Sequence, residues 1–218
     1  MVIADIADAQ EAVDEVRQTG GEATGVTTDI SDEASTRAMA QKTVEAYGRI
    51  DILINNAGIA GRFARFSIED TTVEFWTKSW RRTRKGMFLC SKAVLPTMKA
   101  QQTGKIFNIS SHSFCLGIAR MIAYTTSKGC VLAFTRALAR EVGDYGIAVN
   151  ALAPAVIPME NDPFESAPEK VERVNRGRCF KRSLEPADLA GTLLYLAGED
   201  NAFVTGQSLL INGGTYFQ

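Results

Sequence analysis

Histidine, cysteine and long apolar runs are scarce in this sequence of 218 residues, which contains one histidine and four cysteines. The cysteines, at positions 90, 115, 130 and 179, have no CxxC spacing and no histidine cluster beside them, so neither a zinc site nor a disulfide framework is indicated. No apolar run approaches the roughly 20 residues of a membrane span, and no signal-like apolar core follows a basic N-terminus. We therefore expect no metal, no membrane partner and a reducing, cytoplasmic location.

A surplus of charge of either sign is also missing, since the formal net charge is -1 at pH 7 and the isoelectric point is about 6.0. This balance gives no electrostatic reason to expect nucleic acid or an anionic membrane surface as a partner. A hydrophobic content of 45% over 218 residues can bury a sizeable core without disulfides. We expect a single domain over residues 1–218 that acts on a small molecule.

Short apolar runs alternate with longer amphipathic segments, which is typical of a parallel sheet covered by helices on both faces. The predicted helices include residues 9–19, 31–47 and 131–142. The predicted strands are residues 2–6, 23–30, 50–58, 104–111, 146–154 and 207–213. The sequence therefore predicts an α/β fold with a doubly wound, Rossmann-like parallel sheet, in which ligands bind beyond the carboxyl ends of the strands.

Three polar side chains have the spacing that a carbonyl-protonating enzyme needs. Tyr124 follows Ser111 by thirteen residues, and Lys128 follows Tyr124 by four. Positions i and i+4 of a helix share a face, so the Lys128 ammonium can favour the ionised form of a phenol that ordinarily titrates near pH ~10. Ser111 can hold a substrate oxygen against that phenol. Taken alone, the tyrosine–lysine pair also fits a packed tyrosine covered by a lysine stem.

Further motifs accompany this triplet: NNAG at 55–58, VNALAP at 149–154 and VTGQSLLINGG at 204–214. In this order, from Val2 onward, they resemble the short-chain dehydrogenase/reductase family. The resemblance implies an oxidoreductase that transfers hydride between a nicotinamide cofactor and a secondary alcohol or ketone, with Tyr124 as acid/base, Lys128 tuning it and Ser111 orienting the substrate. It also implies a homodimer or homotetramer. The alternative is a non-catalytic scaffold or an inactive truncated fragment of the same fold.

The family's first strand and its glycine-rich, pyrophosphate-binding turn are absent from this sequence. In the strand order 3-2-1-4-5 the absent strand is central, so we expect a gap between residues 2–6 and 50–58, with unpaired backbone groups on both sides. We expect a strand–turn–helix unit of about 30 residues to complete the working protein. A real truncation with weakened cofactor binding is the alternative.

Asp5 determines the expected cofactor. An acidic side chain at the end of this strand accepts hydrogen bonds from the adenosine ribose hydroxyls and repels an added 2′-phosphate, so NAD is favoured over NADP. A helix-capping aspartate is the alternative.

Other cofactor contacts are expected from the resemblance. Asn56 is not among them, since we expect it to have a structural role and to bridge neighbouring strands. Close backbone approach is expected at the end of the strand that contains NNAG. The expected cofactor residues besides Asp5 are Asp29, Ile30, Asn55, Ala57, Gly58, Tyr124, Lys128, Pro154 and Ile157.

Thr83, Ala155 and Met159 depart from the family pattern, and Ala155 stands where a glycine is usual. Thr83 stands where an asparagine usually keeps a helix locally open for a proton-relay water, so we expect Thr83 to support a slower relay. Met159 replaces a threonine that meets the nicotinamide carboxamide, at a cost of ~1 kcal/mol for one hydrogen bond.

The substrate region is expected around Ser111, Ser113, Phe114 and Met159, with the polar segment 158–183 as a mobile lid. A mostly apolar pocket of this kind suits a secondary alcohol or ketone of modest polarity. His112, the lone histidine, is expected to lie at the surface and to have no direct role.

Overall fold

A computed structural model describes residues 1–58, 65–80, 84–158 and 167–217 of the chain. None of the helices within these ranges has both the length and the apolarity that a membrane crossing needs. The strands are β1 (Val2–Asp5), β2 (Thr24–Thr27), β3 (Ile52–Asn55), β4 (Gly104–Ile109), β5 (Ile147–Pro154) and β6 (Ser208–Ile211). The helices are α1 (Gln10–Gln18), α2 (Glu33–Tyr47), α3 (Val73–Trp80), α4 (Gly86–Gln101), α5 (Ser113–Leu116), α6 (Ile122–Val142), α7 (Pro168–Arg176) and α8 (Pro186–Ala197).

The strands form two parallel sheets. β1 pairs with β2, while the other four pair in the order β3-β4-β5-β6. The longest ladder joins Gly104–Ile109 of β4 to residues 147–152 of β5. The predicted α/β fold with a parallel sheet is therefore confirmed, and each predicted strand is found, shortened at its ends.

A cavity of about 640 Å³ separates β1 from β3. Both strands line it, together with Met39 of α2 and Cys90 of α4. Ile52 and Ile54 of β3 face this space and are 41% and 48% exposed, although their apolar character predicts burial. The gap expected between the two strands is thus present, and the facing edges have no ladder partner in the described part of the chain.

The main core lies between the four-stranded sheet and helices α4 and α6. Ile106 of β4, Val149 of β5 and Met98 of α4 are each 0% exposed. A smaller cluster of Val26, Met39 and Cys90 connects the two sheets on one face. Side-chain packing, rather than a backbone ladder, therefore joins the β1–β2 unit to the rest of the fold.

Gly146 sets the turn between α6 and β5. Its φ is +66°, and a Cβ at this position would lie 2.6 Å from the carbonyl oxygen of Gln102. Gly143, at the start of the same turn, has a helical φ of -59° and no atom within 4 Å of a Cβ placed there. Only the second glycine of this turn is required by its backbone conformation and its close neighbour.

Candidate active site

Two hydrogen bonds hold α6 against the end of β4. Lys128 Nζ donates to the Ile109 carbonyl at 2.9 Å, and Ser110 Oγ donates to the Lys128 carbonyl at 2.8 Å. Ser111, which follows directly, is 8% exposed, and its Oγ accepts a hydrogen bond of 3.2 Å from the Ser113 amide. The structure therefore brings Lys128 to the strand end that presents Ser111.

Tyr124 lies on the same helix, one turn before Lys128, as the sequence predicts. Burial lowers the pKa of Lys128 to about 8. A poorly solvated ammonium interacts strongly with any anion that forms close to it, because little water competes for the charge. The environment of Lys128 can therefore favour an ionised phenol one turn away.

A buried polar network lies beneath these residues. Asn108 of β4 is 0% exposed; its Oδ1 accepts from Asn55 Nδ2 at 2.8 Å, and its Nδ2 donates to Thr135 Oγ1 at 2.9 Å. Asn55 Nδ2 also lies 3.3 Å from Ser91 Oγ of α4. The network fixes β3, β4, α4 and α6 relative to one another. Sequence reasoning missed Asn108, although an asparagine inside the apolar run KIFNIS was an available signal.

The strand-bridging residue is Asn55, so the expectation that Asn56 bridges the strands was wrong. Asn55 is the last residue of β3 and stands opposite Asn108 in the ladder. Asn56 follows the end of β3 and is exposed. A cofactor contact at Asn55 would therefore come from its backbone.

The expected adenosine-binding residues meet at the carboxyl end of β1. Asp5, Ile30, Asn55 and Ala57 line the same cavity between the sheets. Asp5 is exposed, and its Oδ1 accepts a hydrogen bond of 2.9 Å from the Ala7 amide. The capping alternative for Asp5 was wrong, because the residue at the N-cap of α1 is Ala9. An exposed carboxylate at a strand end fits ribose hydroxyls.

Three other expected cofactor residues lie around this edge. Asp29 Oδ1 accepts hydrogen bonds from the amide and hydroxyl of Ser31, at 2.8 and 2.7 Å. The Ile30 side chain packs on Gly86 so closely that a Cβ there would lie 2.3 Å from it. Gly58 follows β3 and is exposed. Asp29 and Ile30 thus follow β2, and Gly58 follows β3.

The expected nicotinamide end of the site follows β5. The Pro154 carbonyl accepts a hydrogen bond of 3.0 Å from the His112 amide. The Val156 carbonyl accepts one of 2.9 Å from Arg178 Nη2, and Ile157 is half-buried. Thr83 and Met159, expected to act in proton relay and in substrate and cofactor contact, lie outside the described residues.

The expected substrate wall is the short helix α5. Ser113 is 2% exposed, and the Phe114 side chain approaches Gly129 of α6, where a Cβ would lie 3.9 Å from the Phe114 Cβ. The expectation that His112 lies at the surface was wrong, since it is 4% exposed. Burial, with a contribution from the Arg178 charge, lowers the pKa of His112 to about 4. The position fixes His112 as a neutral imidazole near neutral pH.

Arg178 is a second buried group that sequence reasoning missed. It lies in the polar segment after α7, where the surrounding arginines and lysines predict a solvated stretch, yet it is 3% exposed. Burial and the neighbouring Arg182 lower the pKa of its guanidinium. No signal in the sequence distinguishes Arg178 from its exposed neighbours.

Serine, tyrosine and lysine at the carboxyl edge of a parallel Rossmann-like sheet are typical of nicotinamide-dependent oxidoreductases. The family model described as enoyl-(acyl carrier protein) reductase matches residues 1–216. Together with the relatives below, this match shows that the chain belongs to the short-chain dehydrogenase/reductase family of oxidoreductases, whose members bind a nicotinamide cofactor.

Relatives of known sequence and structure cover nearly the whole chain. The BbsD subunit of (2S)-[(R)-hydroxy(phenyl)methyl]succinyl-CoA dehydrogenase from Thauera aromatica is 40% identical over 98% of this chain and 85% of its own length. A gluconate 5-dehydrogenase from Burkholderia cenocepacia, solved with NADP and tartrate, superposes with a TM-score of 0.89 at 29% identity, over 98% of this chain and 84% of that one. ElxO, solved with NADP, superposes with a TM-score of 0.88 at 28% identity, over 98% and 87%.

Proposed function

We propose that this chain interconverts a secondary alcohol and a ketone, using NAD(H) and the residues Ser111, Tyr124 and Lys128. The observation that carries the proposal is the attachment of Lys128 to the end of β4, beside Ser111 and one helical turn from Tyr124. The relative from Thauera aromatica is named as a dehydrogenase of a compound with a hydroxy(phenyl)methyl group, which supports the alcohol chemistry.

The nicotinamide supplies or takes up the hydride, and the protein handles the proton. In the reducing direction the Tyr124 phenol donates its proton to the carbonyl oxygen as the hydride reaches the carbon; in the oxidising direction the phenolate takes that proton back. The Lys128 ammonium stabilises the phenolate. Its pKa of about 8 leaves it mostly protonated at neutral pH, so the charge is present when it is needed.

Ser111 orients the substrate oxygen. Because Ser111 Oγ accepts a hydrogen bond from the Ser113 amide, its own O–H remains to donate to that oxygen. Ser113 and Phe114 of α5 form one wall of the pocket, and Met159 is a further expected substrate contact. Residues 158–183 act as the lid of a single domain that spans residues 1–218, and Thr83 carries a slow relay of the proton to solvent.

The decisive test of this chemistry compares Tyr124→Phe with the unaltered chain in reduced-nicotinamide absorbance assays on a broad panel of secondary alcohols and polyols. We expect the substitution to lower kcat by ~10²–10⁴-fold, the usual contribution of a positioned proton donor. Tyr145→Phe is the matched control, because Tyr145 follows α6 and lies under Lys99, far along the chain from the triplet. Equal loss in both variants would contradict the role of Tyr124.

The scaffold alternative gives a different result in a simpler experiment. A non-catalytic scaffold shows no saturable change in NADH fluorescence, whereas the enzyme does. Saturable NADH binding with no turnover of any alcohol, in a folded protein, would count against the proposed reaction while leaving the cofactor site intact.

NAD rather than NADP is the proposed cofactor, and Asp5 is its support. Both structural neighbours named above were solved with NADP, so the preference needs a direct test. We expect the ratio of kcat/KM for NAD to that for NADP to fall by ~10-fold in Asp5→Ser, because a carboxylate that repels the 2′-phosphate is removed. Asp8→Ser, which removes an exposed carboxylate bonded to the Gln10 amide, is the control and leaves the ratio unchanged.

We also propose that the chain forms a homodimer or homotetramer through α4 and α6. A hollow of about 530 Å³ between these helices is lined by Phe88, Leu95 and Phe134, and Phe88 is 50% exposed. Phe88→Asp is expected to shift the mass measured by light scattering from dimer or tetramer toward monomer. An unchanged mass would exclude this face as the interface.

A further inference from the structure

Two buried nitrogen atoms have no hydrogen-bond partner in the described part of the chain: Nδ1 of His112, the residue after Ser111, and Nε of Arg178. Their residues are 4% and 3% exposed, so water does not freely solvate them. Buried polar atoms have a hydrogen-bond partner in the great majority of cases, so these two nitrogen atoms are available to a polar ligand. The two nitrogen atoms are also not bonded through each other, because each lacks any partner in the described part of the chain.

Both residues attach to residues 154–156, which are the end of β5 and the two residues after it. The His112 amide donates to the Pro154 carbonyl at 3.0 Å, and Arg178 Nη2 donates to the Val156 carbonyl at 2.9 Å. The Arg178 charge also contributes to the lowered pKa of His112, which indicates that the two side chains are neighbours, and Ser111 precedes His112 in the chain.

Arg178 carries a positive charge that no carboxylate neutralises among the described ion pairs. Its other contacts are neutral oxygens, namely Asn175 Oδ1 at 3.2 Å and the Arg182 carbonyl at 2.7 Å, besides the Val156 carbonyl. Asp188, the acid whose charge acts on Arg178, is already paired with Arg182, with one contact of 2.7 Å. A buried guanidinium with neutral partners only favours an anionic ligand.

We propose that Arg178 and His112 bind a carboxylate of the substrate, which makes hydroxy acids and the corresponding keto acids the substrate class of this enzyme. One carboxylate can accept from Arg178 Nε–H and from a neutral imidazole that carries its proton on Nδ1. The carbinol or carbonyl oxygen of the same molecule then lies at Ser111. This proposal rests on the reaction proposed above for Ser111, Tyr124 and Lys128.

The single histidine of the chain provides a direct test by NMR, since its imidazole C–H signals are unique. The protein with NAD bound is titrated with lactate, 3-hydroxybutyrate and tartrate, and in parallel with the neutral amide of each. We expect at least one acid, and none of the amides, to shift the His112 signal saturably. The pKa read from that signal then rises from about 4, because the carboxylate favours the imidazolium against the charge of Arg178.

Two outcomes would overturn the proposal. An acid and its amide could shift the signal equally, or no acid could shift it at all. A shift caused by NAD alone, with no further change on adding acids, would assign the two nitrogens to the nicotinamide carboxamide instead. If acids shift the His112 signal but none of them is turned over, the carboxylate site is supported and the reaction proposed for Ser111, Tyr124 and Lys128 is contradicted.

Steady-state kinetics of Arg178 variants provide a second test of the carboxylate site. For the accepted acid, kcat/KM is expected to fall by about 10- to 100-fold in Arg178→Met, the effect of losing one charge-assisted hydrogen bond, while Arg178→Lys retains part of it. For the amide, the same substitutions change kcat/KM by a much smaller factor. Arg176→Met, which removes an exposed charge of the same segment, is the matched control. Equal losses for acid and amide would show that Arg178 is only structural.

Discussion

Replacing Lys128 with methionine should make the folded protein more stable at neutral pH while removing its activity. Burial lowers the pKa of Lys128 from 10.5 to about 8, which corresponds to a cost of ~3 kcal/mol for holding the charged form in the folded chain. Methionine carries no charge, but it loses the charge-assisted hydrogen bond to the Ile109 carbonyl, which is worth ~1.5 kcal/mol or more. We expect a net gain of at most ~1.5 kcal/mol in the free energy of unfolding.

The gain should depend on pH in a defined direction. Below about pH 8 the lysine is protonated in both the folded and the unfolded chain, so the full cost is present. Between about 8 and 10.5 the folded chain releases the proton first, the unfolded chain holds more protons, and the unaltered protein gains stability. The advantage of Lys128→Met therefore shrinks across this window.

Urea unfolding followed by circular dichroism, at about pH 7 and about pH 9.5, measures both effects as a difference between the two proteins. The two proteins are compared because the raised pKa of Cys90, about 11, lowers stability with rising pH equally in both. This effect cancels in the difference between them. Lys42→Met, at an exposed position of α2, is the control and should change little at either pH. A variant that is less stable at neutral pH, or an advantage independent of pH, would refute the reasoning.

Three further outcomes are expected. Asn108→Ala leaves its buried partners on β3 and α6 unsatisfied and should lower the free energy of unfolding by ~2–3 kcal/mol in urea titrations; a loss near zero would show that the network is not essential. Cys90 is 5% exposed with a raised pKa, so Ellman's reagent should not modify it in the native protein, while the exposed Cys179 reacts fast and Cys179→Ser removes that phase. Gly146→Ala should cost ~1–3 kcal/mol of stability and Gly143→Ala almost none, and equal effects would contradict the role of the positive φ.

Local chemistry made the triplet predictable. The four-residue spacing of Tyr124 and Lys128 places both on one face of any helix, and the structure has them on α6. The apolar runs likewise predicted every strand. The exposure of Ile52 and Ile54 was not predictable, because they adjoin a cavity whose size depends on both sheets. Exposure at those positions is a property of the assembled fold and not of the strand itself.

The burial of His112 and Arg178 could not be read from their neighbours in sequence. His112 is buried because its amide is tied to Pro154 of β5, and Arg178 because its guanidinium is tied to Val156. Both contacts join segments that are distant along the chain. The choice between Asn55 and Asn56 depended in the same way on the ladder register with Asn108, which only the pairing of β3 and β4 fixes.

The division of the sheet also governs how the molecule opens. No ladder hydrogen bond crosses between β1 and β3 in the described residues, so side-chain contacts, among them the packing around Met39 and Cys90 and the Glu33–Lys92 ion pair, join the β1–β2 unit and α2 to the rest. Amide hydrogens of β1 and β2 should then exchange through a partial opening that breaks these contacts, while those of β4 and β5 wait for global unfolding. Asp5 belongs to the β1–β2 unit. A nucleotide that contacts both sides of the cavity would bind only molecules in which the β1–β2 unit is docked. Its apparent Kd is then the intrinsic Kd divided by the docked fraction.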